Sequence, residues 1–134
     1  MDPSNRKPAG GSARQSLGRR GESLAAEYLA ARGYRILERN FRSPYGEIDL
    51  VAYQPGPHGA CLVFVEVKTR SSNAYGYPEQ AITASKQVHL IQSAQAYLQE
   101  HPDLAGDWRI DVIAVRTGRG GGRAEIEHIE NAVH

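Results

Sequence analysis

Two apolar runs of this chain are broken by acids. They are Glu47-Ile48-Asp49-Leu50-Val51-Ala52-Tyr53 and Cys61-Leu62-Val63-Phe64-Val65-Glu66-Val67-Lys68. Side chains alternate faces along a strand, so Glu66 and Lys68 share one face, and Glu47 and Asp49 share a face of the preceding run. If the two runs pair, Asp49 and Glu66 converge at one end of a sheet. Charges placed there need mutual neutralisation or a cation. One reading is a hard divalent ion, Mg²⁺ or Mn²⁺, which takes carboxylate oxygens and keeps waters for a phosphate substrate. Lys68 would then hold a water or stabilise charge developing on phosphorus. The other reading is a Glu66–Lys68 or Asp49–Lys68 ion pair with no chemistry, and spacing alone leaves both open.

Other acids and bases surround this trio. Glu22 falls on one helical face with Ala25 and Leu29, so it either faces the sheet and reaches the ion or complements the start of its helix. Glu47 fits a supporting role or a solvated strand end. Asp111 lies beside Arg109 and reads as a structural ion pair. Arg19, Arg20, Arg42, Arg70 and Lys86 flank the acids in sequence. Arg70 and Lys86 would touch phosphates and offset an acidic site, and each is otherwise a solvated charge. Tyr75 and Tyr77 either stack on an unpaired base or pack on the following helix. None of the five histidines stands at metal-like spacing from another, and one cysteine, Cys61, builds neither a disulfide nor a cysteine zinc site. There is no phosphate-binding glycine loop, dinucleotide fingerprint or nucleophile elbow.

The elements that must position these residues follow from periodicity. Leu17, Leu24, Ala25, Tyr28 and Leu29 predict a helix from Leu17 to about Arg32, closed by Gly33. Gly18 and Gly21 weaken that helix by on the order of 1 kcal/mol each, which points to a close neighbour or a frayed first turn. Strands are expected over Tyr34–Asn40, Glu47–Tyr53 and Cys61–Lys68, the last buried on both faces. A second helix carries the stripe Ala84, Val88, Ile91, Gln95 and Leu98, with Leu90, Ala94 and Tyr97 beside it, and ends before Pro102. Trp108–Val115 reads as a buried strand and Ala124–Ile129 as an edge strand after a glycine-rich loop. The order predicts an α/β domain with a mixed central sheet flanked by helices.

The chain has 134 residues, 40% hydrophobic and 23% charged, enough for one core and unlike collagen, mucin or a wholly disordered protein. Residues 1–16 read as a flexible basic arm and 17–134 as a single domain. Residues 1–20 hold five of the 16 basic but one of the 15 acidic residues, although the net charge is only +1. No apolar run reaches the roughly 20 residues of a membrane helix, and no secretory h-region follows the N-terminal charges. A reducing cytoplasm is the expected compartment.

The motifs Gly46-Glu47-Ile48-Asp49-Leu50 and Phe64-Val65-Glu66-Val67-Lys68-Thr69-Arg70 resemble the YraN family of predicted endonucleases. Gly18-Arg19-Arg20-Gly21-Glu22, Pro78-Glu79-Gln80-Ala81-Ile82 with Lys86, Arg109-Ile110-Asp111-Val112-Ile113 and Asn131-Ala132 extend the resemblance over nearly the whole chain from Leu17. That family is distantly similar to archaeal Holliday-junction resolvases and to the restriction-endonuclease-like PD-(D/E)xK superfamily. The resemblance implies an αβββαβ core with a Mg²⁺ or Mn²⁺ site on adjacent strands. It makes Asp49 the first acid, Glu66 and Lys68 the E-x-K pair and Glu22 the helix acid of the resolvase-like branch, with Asp49, Glu66 and Glu22 toward the metal. Ile48 stands where the superfamily motif has proline. The implied reaction is metal-assisted phosphodiester hydrolysis on DNA, branched or otherwise structured, by a homodimer. A non-catalytic nucleic-acid-binding module and a protein-interaction domain are the alternatives on the same fold.

Overall fold

The structure, a computed structural model, describes residues 13–57, 59–71, 82–104, 106–117 and 123–133. Helix α1 (Ala13–Ala31) is followed by strands β1 (Arg35–Ser43), β2 (Gly46–Gln54) and β3 (Cys61–Ser71). Helix α2 (Ala84–Glu100), a 3₁₀ turn (Pro102–Leu104), β4 (Asp107–Thr117) and β5 (Glu125–Val133) complete it. The five strands lie in chain order in one sheet. β3 and β4 are parallel and the other neighbours antiparallel, so α2 is the crossover that a parallel pair requires. This is the expected mixed sheet with two helices, the order of a restriction-endonuclease-like core. The loop with Tyr75 and Tyr77 and the glycines at 120–122 lie outside the described residues. So does most of the basic arm, although α1 already begins at Ala13.

The two helices cover opposite faces. Phe41, Ile48, Val51, Phe64 and Ile110 pack with Leu90, Ala94 and Tyr97 of α2. Leu50, Val63, Val65, Val67 and Ile113 pack with Ala25, Ala26 and Leu29 of α1. β3 is therefore buried on both sides from Leu62 to Val67, as its unbroken apolar run requires. Among the described residues no helix is long and apolar enough to cross a membrane.

α2 corrects one expectation. Its buried residues are Leu90, Ser93, Ala94 and Tyr97, while Val88 of the expected stripe is 52% exposed. Two adjacent stripes were both apolar, and the one carrying the Tyr97 ring, edge-on to Phe41 and Phe64, took the core.

Gly21 explains how α1 reaches the sheet. A Cβ there would overlap the Thr69 Oγ1 of β3 and lie 2.9 Å from its Cβ, so glycine lets the middle of α1 sit on the strand that carries Lys68. Gly18 has nothing within 4 Å and no such role. Gly33, at φ +90°, closes α1: its N–H bonds the Ala30 carbonyl, and the Tyr34 N–H bonds that of Leu29.

Candidate active site

The site begins where β2 and β3 part. Their pairing runs from Gln54↔Cys61 to Leu50↔Val65, and one further step would set Asp49 opposite Glu66. Strict alternation fails at that point. Ile48 belongs to the core under α2 and Leu50 to the core under α1, although residues two apart should share a face. Across from this break, Asn40 of β1 takes a positive φ of 54°, which asparagine tolerates better than most residues. Asp49, between the two faces, aims its carboxylate across the gap and its Oδ2 accepts the Val67 N–H at 2.7 Å.

Glu66 is 5% exposed and lies on the α2 side of β3. Its Oε2 is 3.3 Å from Lys68 Nζ and 3.6 Å from Lys86 Nζ. Lys68 comes from the same face two residues on. Lys86 comes from the first turn of α2, where its N–H bonds the Thr83 cap at 3.1 Å. Burial, followed by the Glu66 charge, pushes the Asp49 carboxyl up to about 7, and the charges of Glu22 and Glu47 add to this against the pull of the Val67 N–H. Asp49 thus feels Glu66 as its strongest charged neighbour. Spacing placed the two acids at one end of a sheet; Glu66 instead lies mid-strand in β3, whose pairing with β4 runs on to Ser71 while its pairing with β2 stops at Val65.

Glu22 arrives from α1, half-buried and in a side-chain hydrogen bond with Asn40. Burial raises its carboxyl as well, and the Asn40 bond works against that. Glu47 is paired with Arg42 at 3.1 Å, with the Arg42 side chain 84% exposed. Arg19 and Arg20 are exposed on α1, and Arg70 is half-buried two residues beyond Lys68. Lys86, expected to touch phosphate and offset the acidic site, lies 3.6 Å from Glu66 Oε2. Sequence reasoning missed Asn40 altogether; an asparagine inside a β-compatible run was the available signal.

The donor set suits a hard cation. Glu66, buried, and Asp49, half-buried, are oxygen donors that repel one another, and an ion that keeps several waters needs few protein ligands. Glu22 couples to both through charge but is engaged by Asn40. Among the described residues, no three His, Cys, Asp or Glu side chains form a ready-made cage. A metal would rest on Asp49 and Glu66, with Glu22 behind them.

Asp111, elsewhere on the sheet, behaves as its neighbour Arg109 suggested. It is fully buried and receives Arg109 Nε at 2.9 Å and the Asn131 N–H at 2.8 Å, with His128 Nε2 at 2.7 Å. Arg109 also bonds Gln54 and the Tyr34 hydroxyl. Burial alone would raise the Asp111 carboxyl, but the bonds from His128, Arg109 and Asn131 hold it below its ordinary value.

Residues 21–115 match the family described as "Uncharacterised protein family UPF0102". A "UPF0102 protein" of Syntrophotalea carbinolica is 49% identical over 119 residues, 89% of this chain and 92% of that one. One from Clavibacter michiganensis is 46% identical over 118 residues, covering 88% and 96%. One from Trichlorobacter lovleyi is 46% identical over 125 residues, covering 93% and 95%. Among solved structures, Pyrococcus furiosus SfsA in complex with Ca²⁺ overlaps 87% of this chain and 63% of its own, at a TM-score of 0.38 and 18% identity.

Proposed function

The chain belongs to the uncharacterised protein family UPF0102, the YraN family its motifs resemble, and from its site we propose a Mg²⁺- or Mn²⁺-dependent endonuclease-like protein acting on DNA. One observation carries the reading. β2 and β3 stop pairing at Leu50↔Val65, beside the half-buried Asp49 and the buried Glu66, and the lysine of the E-x-K pair stands 3.3 Å from Glu66. A structural ion pair needs one acid and one base. The second acid, Asp49, stays raised to about 7 despite the Val67 N–H, and a proton or a cation relieves it further.

Asp49 and Glu66 would hold the ion, which when bound polarises a phosphodiester and lowers the pKa of a water. Asp49 gives up its proton as it becomes a ligand. Lys68, fixed by Glu66, places an ammonium where charge develops on the phosphate or where the attacking water must be oriented. Glu22 and its Asn40 partner keep a negative wall behind the acids. Arg19, Arg20, Arg42 and Arg70 lie on elements bordering the site and would contact the backbone of structured or branched DNA without reading its bases. A homodimer is the assembly that cutting both strands requires. The lone Cys61 suits a reducing cytoplasm.

The second reading is a nucleic-acid-binding or protein-interaction domain without turnover. Its support is that Lys68 and Lys86 together already neutralise Glu66. The test is a panel of linear, flapped and four-way DNAs titrated with Mg²⁺ and with Mn²⁺. Cation-dependent strand cleavage that disappears in Asp49→Asn and Glu66→Gln supports the nuclease. DNA binding with no cleavage and no Mn²⁺ uptake supports the second reading.

A further inference from the structure

We propose that Lys86 is an exchangeable cation: it pairs with Glu66 while no metal ion is there, and passes to a DNA phosphate when a divalent ion takes that carboxylate. The inference rests on the nuclease-like reading of the site and adds to it a link between metal loading and DNA grip. Its starting point is one oxygen with two partners. Glu66 Oε2 lies 3.3 Å from Lys68 Nζ and 3.6 Å from Lys86 Nζ, so a divalent ion on Glu66 would stand close to both ammoniums. Like charges at such distances repel, so one ammonium yields.

Lys86 is the one placed to leave. Lys68 stands two residues from Glu66 on the same strand face, with its side chain 28% exposed. The Lys86 side chain is 38% exposed and springs from a helix turn whose backbone is held independently by the Thr83 cap. Its four-carbon stem can therefore swing to solvent without disturbing α2. The first turn of α2 contains no acid, so Lys86 adds positive charge to the end of the helix dipole that already disfavours it. Glu66 compensates for this in the metal-free state. Once the ion holds Glu66, the ammonium and the helix start together favour an anion, and a phosphodiester of the bound DNA is the anion this site meets. By linkage, DNA that captures Lys86 also tightens the hold on metal.

The test uses the full chain, Lys86→Met and Lys86→Arg. Mn²⁺ binding is measured by calorimetry. Binding of a fluorescent four-way DNA is measured by anisotropy over a salt series, in chelator and in Mn²⁺, with the strands checked for intactness on a denaturing gel. Thermal melts in chelator confirm that the variants fold. Lys86→Met should bind Mn²⁺ about fivefold more tightly, because its competitor is gone. In Mn²⁺ its log–log salt slope should be shallower than wild type by about 0.9, the signature of one lost phosphate contact. In chelator the two slopes should agree, since Lys86 is then engaged with Glu66. Lys86→Arg should follow wild type in both conditions. An equal loss of slope in chelator and in Mn²⁺ would make Lys86 a plain phosphate contact and overturn the exchange. So would an unchanged or weakened Mn²⁺ affinity in Lys86→Met. A wild-type chain that takes up no Mn²⁺ defeats the nuclease-like reading along with it, which separates that failure from the first two.

Discussion

Replacing Asp49 with asparagine should stabilise the metal-free fold at alkaline pH and change it much less in acid. An aspartate titrating near 3.8 when unfolded and at about 7 in the fold binds its proton more tightly in the native state. Native stability is then greatest below the unfolded value, falls as pH climbs through the interval, and levels off above the folded value. Each tenfold difference in proton affinity is worth about 1.4 kcal/mol, so the whole interval amounts to roughly 4 kcal/mol. Water entering between the parted strands lowers this to about 2–4 kcal/mol. Asparagine keeps a carbonyl oxygen for the Val67 N–H and carries no charge, so the variant lacks this pH dependence. Its advantage over wild type should widen by about 2–3 kcal/mol between pH 5 and pH 8 in chelator. Urea unfolding of both proteins at those two pH values measures it. Added Mn²⁺ should then raise wild-type stability at pH 8, in proportion to the logarithm of its concentration over Kd, and leave Asp49→Asn unmoved. A variant less stable than wild type at pH 8, with parallel pH profiles, would show Asp49 to be an ordinary paired carboxylate and refute the reasoning.

Glu66→Gln should remove any Mn²⁺-induced rise in melting temperature while leaving Lys68 and Lys86, both partly in water, at a cost of about 1–2 kcal/mol in chelator. Gly21→Ala should destabilise by about 1–3 kcal/mol in urea titrations, because the added Cβ meets Thr69, even though alanine favours helix. Gly18→Ala, with open space around it, should stabilise by up to about 1 kcal/mol in the same assay. Asp111→Ala should cost about 3–5 kcal/mol by leaving Arg109 and His128 buried without their carboxylate, with Mn²⁺ affinity by calorimetry unchanged.

The sequence was legible wherever one local pattern had a single physical solution. An apolar run from Cys61 could only be a strand covered on both faces, although Glu66 proved to lie in its middle and not at its end. The placement of Gly33 followed from helix closure alone. α2 was harder because two neighbouring stripes were both apolar, and only packing against Phe41 and Phe64 chose between them. Lys86 was read as a phosphate contact because nothing in its spacing tells how far β3 lies from the start of α2. The parting of β2 and β3 was invisible for a stronger reason. It coincides with the left-handed backbone of Asn40 on a third strand, a tertiary feature that no pattern within β2 or β3 records.

The two ends of the sheet offer an internal comparison for what the Asp49 site is built to do. Each edge strand, β1 and β5, carries an asparagine at positive φ, Asn40 and Asn131, near an aspartate on the strand beside it. In both places the aspartate accepts a backbone N–H: Asp49 from Val67 and Asp111 from Asn131. The difference is in the charges supplied. Asp111 is met by Arg109 and His128, and its carboxyl is held low. Asp49 is met by Glu66, Glu22 and Glu47, and its carboxyl rises to about 7. The fold gives Asp111 its own cations, whereas near Asp49 the lysines lie on Glu66 and the charges that act on Asp49 most are carboxylates. Burial disfavours a bare charge and neighbouring acids disfavour it further, so the species that relieves Asp49 is a proton or a metal ion. Of the two, an oxygen-seeking divalent cation is the one that the proposed reading sets between Asp49 and Glu66.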